Sequence, residues 1–248
     1  MSGLDPELPV EPLSAPDSSI LPDIVADDDA PRSLVERLAQ VRAQVIELGA
    51  LTCEAITAGT RAFLAADLGG ADAVIRADHE INDLRHRIED DVTFLLAREH
   101  PVASDLRRVV TILRITHELE RSGDLMTNVA KATQRLFPLQ LPPRIRGIID
   151  QMGAQAHKQT LLAMEAFADD DPSWAARLVE MDNVIDDLTR SLFTEIFAEG
   201  ALGTPDEGAI QRAVHLALVG RHYERIADHA VTVAQRVEFA VTGRHPGL

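Results

Sequence analysis

Glu120 and Asp124 stand four residues apart in LERSGDLMTNVAK (119–131), and Glu224 and Asp228 repeat that spacing in YERIADHAVTVAQ (223–235), 104 positions later. On a helix, i and i+4 share a face, so each pair aims two carboxylates at one place. Upstream, Asp182 and Asp186 form a third pair, and Asp78 and Asn82 stand at the matching offset in the first half. Like charges at this spacing repel by a few tenths of a kcal/mol even when exposed, and by more when partly desolvated. A bound cation answers that repulsion most simply, and an all-oxygen donor set suits Mg, Mn, Ca or Fe. The competing reading is a solvated face whose acids pair with Arg85, Arg121, Arg221 or Arg225.

The spacing dictates what must hold these residues. From Ser33 onward the pattern is helical, interrupted at 67–72, 98–105, 137–143, 169–173 and 199–208 by Gly, Pro and acidic breakers. Six helices of roughly 24–34 residues result, and nothing reads as a strand. A shift of 104 aligns Phe63 with Phe167, Asp78 with Asp182, Ile81 with Ile185, Pro101 with Pro205 and Glu120 with Glu224, without a gap. The expected fold is therefore all-α: two tandem homologous three-helix bundles at 33–139 and 140–248. An antiparallel turn centred on Pro101 sets Asp78 level with Asp124 and Asn82 level with Glu120. A turn at Pro205 sets Asp182 against Asp228 and Asp186 against Glu224. The candidate metal residues are thus Asp78, Asn82, Glu120, Asp124, Asp182, Asp186, Glu224 and Asp228.

Residues 1–32 hold six of the thirteen prolines and eight acids against one base, and read as a disordered acidic tail. The chain's net charge of −16 argues against nucleic-acid binding. No apolar run approaches the roughly 18 residues of a membrane span, and no basic-then-apolar leader opens the sequence. The expectation is a soluble cytoplasmic protein without membrane insertion. The single cysteine, Cys53, excludes an internal disulfide and reads as packing. His117 and His222, near the acids, are weak ligand candidates, and the other histidines read as ordinary. The ExxH pairs of di-iron oxidases are missing, as are nucleophile-elbow, P-loop, dinucleotide and zinc-protease motifs. A carboxylate-bridged metalloenzyme and a metal-free helical scaffold remain as function classes. The enzyme reading lacks an evident substrate pocket or additional base.

The stretches DHEINDL (78–84), DNVIDDL (182–188), PVASDLRRVV (101–110), LERSGDLMTNVAK (119–131) and GRHYERIADHAVTVAQRVEFAVTG (220–243) together resemble the PhoU family in its actinobacterial form. The similarity spans about residues 33–243. It implies two similar three-helix bundles side by side, whose E(D)xxxD motifs hold metal, iron or zinc first, with magnesium or manganese as alternatives. It implies a homodimer and a non-enzymatic negative regulator of phosphate uptake and of the phosphate-starvation response. Such a regulator connects the phosphate ABC transporter with a PhoR-type sensor histidine kinase. By position, the implied ligands are Asp78, Glu120 and Asp124 in one half and Asp182, Asp186, Glu224 and Asp228 in the other. The chain departs from the pattern at Asn82, where an Asp is expected, and at Ala227, where Gly123 stands in the first half. Its acidic tail is also longer than most members carry.

Overall fold

The computed structural model describes residues 33–138, 140–198 and 207–244, and every element in them is an α-helix. The helices are α1 (Leu34–Ala65), α2 (Leu68–Glu99), α3 (Ala103–Leu136), α4 (Pro143–Asp169), α5 (Trp174–Ile196) and α6 (Glu207–Thr242). The acidic segment 1–32 and the Pro205 turn lie outside the described residues.

Local sequence starts and stops the helices. Ser33 opens α1 with a capping box: Glu36 N–H donates to Ser33 Oγ at 3.3 Å, and Ser33 N–H donates to Glu36 Oε2 at 2.8 Å. Pro143 occupies the first turn of α4, where its missing N–H costs nothing. Ala66 and Asp170, one repeat apart, both end their helices in the left-handed region at φ 52°. Each cap returns its N–H to the preceding turn, Ala66 to Ala62 O and Phe63 O, Asp170 to Ala166 O.

Within each half all three helices pack on one another, α1, α2 and α3 in the first and α4, α5 and α6 in the second. The halves then meet through α1 against α4 and α3 against α6, while α2 and α5 flank the outside. The internal repeat is legible in this junction as a pseudo-twofold. Arg42 of α1 donates to Phe167 O at 2.9 Å and Ala168 O at 3.3 Å, capping α4. Its repeat mate Arg146 donates to Leu64 O, capping α1. A Cβ on Gly49 would lie 2.7 Å from Met164, and one on Gly153 would lie 2.5 Å from Thr60. These two contacts are exchanged by the same offset, so both glycines serve close helix approach.

The buried apolar residues do not divide by half. One cluster joins Val45 and Leu48 of α1 and Ile112 and Ile115 of α3 to Phe167, Leu178 and Val233 of the second half. A second joins Ile56 and Phe63 of α1 and Met126 of α3 to Ile149, Ile185 and Tyr223, while a small third, Ala62, Ala71, Val74 and Ala130, stays within the first half. Each of the two large cores is built from opposite ends of the two repeats. Burial of this kind stabilises by about 25 cal/mol per Å² of apolar surface, so the junction carries much of the fold's stability. Among the described residues, no helix is long and apolar enough to cross a membrane.

Candidate metal centres on the two outer seams

The eight candidate residues fall on two seams, α2 against α3 and α5 against α6. In both, the residue at the first position, Asp78 or Asp182, is half-buried, as are Glu120 and Glu224, while Asp124 and Asp228 are exposed. Gly123 lets α2 come close: an added Cβ there would lie 2.9 Å from Ile81 and 3.6 Å from Asp78 Oδ1. In the second half Ala227 takes this place, fully buried, beside an equally buried Ile185.

Each cluster raises its own carboxyls. The Asp78 carboxyl is held above its ordinary range by burial and then by Asp124. Glu120 is raised by burial and then by Asp124, with Arg85 and His117 opposing. Asp182 is pushed up to about 6 by burial, then by Asp228, Asp186 and Glu224. Asp228 is raised by burial and then by Glu224, with Arg221 opposing. Burial and crowding both disfavour the charged form, so these groups accept charge only with help.

The help available within the chain differs between seams. Asn82 turns back on its own helix, donating from Nδ2 to Asp78 O at 3.0 Å and to Asp78 Oδ2 at 3.2 Å. Glu120 lies 3.8 Å from Arg85 Nε and 3.9 Å from His117 Nδ1. Glu224 pairs with Arg221 one turn earlier. These partners draw the glutamates sideways. Among the described residues, no three Asp, Glu, His or Cys side chains are arranged to hold a metal ion. The acids are therefore neighbours in position and field, and closing them on a cation requires the glutamates to swing away from their arginines.

Two observations fit a cation nonetheless. The donors are hard oxygens, and Asp182 Oδ1 is buried without a hydrogen-bond partner. A buried, unpartnered acceptor costs about 1–3 kcal/mol, which a cation would relieve. Gln159 of α4, fully buried, stands against Asp182, and both of its polar atoms are unpartnered. Thr127, buried beside Asp78, likewise leaves its hydroxyl without a regular partner. Thr127 lies three residues after Asp124 on the same helix face, within reach of the spacing; Gln159 does not follow from it, although a Gln among the apolar positions Met152, Ala156 and Ala163 of α4 was a visible signal.

The histidines separate. His117 is exposed beside Glu120, and His222 is half-buried with Nδ1 unpartnered, lowered by burial and by Arg225. His229 is buried in the α3–α6 junction, 3.0 Å from Ser122 Oγ and 3.8 Å from Glu118 Oε2. Burial and then Arg121, Arg225 and His117 push it down to about 4. Cys53 is buried and pushed up to about 11 by burial, which makes it an inert packing group.

A family model described as the PhoU domain matches residues 45–133 and 149–237, two copies at the offset of the acidic clusters. "Phosphate-specific transport system accessory protein PhoU homolog 1" of Mycobacterium tuberculosis is 35% identical over 212 residues, covering 85% of this chain and 94% of that protein. Homolog 2 of the same organism is 36% identical over 212 residues, covering 85% and 97%. The crystal structure of PhoU from Pseudomonas aeruginosa aligns with a TM-score of 0.79 at 29% identity, over 86% of this chain and all of that one. The regulatory protein PhoU of Streptococcus pneumoniae aligns at 0.77 and 27% identity.

Proposed function

The chain belongs to the PhoU family, and from that premise we propose that it is a negative regulator of phosphate uptake and of the phosphate-starvation response. In this reading it is an adaptor between the components of a phosphate ABC transporter and a PhoR-type sensor kinase, and it acts as a cytoplasmic homodimer. Its relatives are named as accessory and regulatory proteins of phosphate transport, not as enzymes. The observation that carries the reading is the double match to the PhoU domain.

We further propose that the two seams bind metal cations, iron or zinc first and magnesium or manganese as alternatives. Asp78, Glu120 and Asp124 with Asn82 would hold one site; Asp182, Asp186, Glu224 and Asp228 would hold the other. A cation there cancels the mutual repulsion of the acids and ties each outer helix to its neighbour. The first site carries one carboxylate fewer, and Asn82 already satisfies part of Asp78. Occupancy should therefore favour the second site. The arginine pairs at Glu120 and Glu224 favour a second reading, a metal-free scaffold. Elemental analysis of the purified protein separates the two.

Deletion of the gene tests regulation. Phosphate-starvation genes should be expressed in phosphate-replete medium, because a restraint has been removed. Normal repression in the deletion strain contradicts the reading.

A further inference from the structure

The internal repeat allows each seam to be compared with its twin, and one chemical difference lies a layer inside the acids. Position 159 of α4 is Gln, while its repeat mate on α1 is Ala55. Gln159 is fully buried, and neither its Nε2 nor its Oε1 has a hydrogen-bond partner. One turn earlier, Gln155 Nε2 donates to Met181 O at 3.2 Å and pins this part of α4 to α5. Asp182 follows Met181 directly, and its Oδ1 is buried and unpartnered as well. The chain thus places an orphan donor and an orphan acceptor together at the inner wall of the second cluster, with Gln159 against Asp182. Buried carboxamides are kept where they meet partners, because a lone one is costly. Beside Ala55 the twin position opens instead on a cavity of about 290 Å³, lined also by Leu51, Ala77 and Ile81.

We propose that Gln159 is a positioning residue of the second cluster, donating from Nε2 to Asp182 Oδ1 and holding that carboxylate toward the cation. The role rests on the cation-binding reading above. Its logic is that of outer groups on metal ligands: a ligand fixed by a hydrogen bond loses less freedom on binding, and loss of the fixing group weakens affinity about 10- to 100-fold. The carboxamide is neutral, so it fixes Asp182 without competing for the cation's charge. The first cluster has no counterpart from α1: Asn82 reaches Asp78 from the same helix, and Thr127 stands beside it from α3.

The test is Mn²⁺ titration of the full chain by calorimetry, in two backgrounds. In Glu120→Gln/Asp124→Asn only the second cluster reads, and in Glu224→Gln/Asp228→Asn only the first. Gln159→Met, which keeps length and removes both polar atoms, should weaken Mn²⁺ binding about 10- to 100-fold in the former and leave it unchanged in the latter. Gln159→Leu, measured beside it, guards against a local packing effect of Met. Both variants should still unfold cooperatively in chelator, which shows that the fold is intact when the affinities are compared. Equal Mn²⁺ affinity of parent and variant at the second cluster overturns the proposal and leaves the cation reading standing. A loss of equal size at both clusters also overturns it, as that marks a general structural effect. No Mn²⁺ binding by the parent in either background overturns the cation reading itself, and the proposal with it.

Discussion

Asp182 shows how a single side chain reports on its cluster. Its folded-state pKa of about 6 lies above the unfolded value near 4. The folded state therefore holds the proton more tightly, and stability falls as pH rises from about 4 through 6, then levels off. Screening at a half-exposed carboxylate trims the effect to about 1 kcal/mol, a shift of about 2–4 °C in a chain of this size. Asp182→Asn, compared with the parent in chelator, should melt at the same temperature near pH 4 and higher by pH 7. A difference that does not change with pH contradicts the crowding seen at this seam. His229 acts in the opposite sense, since its depressed pKa of about 4 removes stability as pH falls from 6.5, so the comparison must be made against the parent at each pH. The spacing of the acids nominated the eight candidate residues, and the antiparallel register expected Asp78 level with Asp124, whose charge does raise the Asp78 carboxyl. Their partners were legible only in part. Arg85 and Arg221 were nameable as neighbours, and Thr127 shares the α3 face of Glu120 and Asp124, but Gln159 comes from α4, and only packing brings it to the acids.

At the scale of elements, α4 contains its own control. A Cβ on Gly147 meets nothing within 4 Å, whereas one on Gly153 meets Thr60 at 2.5 Å. Thr60 cannot yield easily, because its hydroxyl donates to Ile56 O at 2.7 Å and bonds Tyr223 Oη at 2.8 Å. Gly147→Ala should stabilise by up to about 1 kcal/mol through helix propensity. Gly153→Ala should destabilise by about 1–3 kcal/mol through overpacking. Thermal melting of both checks it, and a stabilised Gly153→Ala contradicts the close α1–α4 crossing. The six helices and their ends were readable from breakers and periodicity. The crossing of α1 on α4 was not, because a glycine within a helical stretch carries no mark of which neighbour comes near.

For the whole molecule, the repeat predicted two three-helix bundles, and the structure arranges them so that both cores are shared. Leu48 and Met164 fall in one cluster, Ile56 and Met152 in the other. A fragment of residues 33–139 should therefore expose a broad apolar face along α1 and α3 and should lack the cooperative melt of the full chain. A fragment melting as sharply and as high as the full chain contradicts the shared core. At this scale the family was legible through the resemblance of the repeated stretches to PhoU, since composition excluded classes without naming one.

The central claim is that the acids are crowded in order to hold a cation, and melting of the full chain by circular dichroism tests it. Glu224→Gln/Asp228→Asn keeps side-chain size and removes two of the negative charges. The parent should gain melting temperature on addition of metal and lose that gain to chelator, because a ligand stabilises only the state that binds it. The double variant should melt at or above the metal-free parent, since repulsion at i, i+4 is relieved, and its response to metal should shrink to what the first cluster supplies. A parent and a variant that respond alike to metal and chelator would show that the second-half acids are a solvated, arginine-paired face.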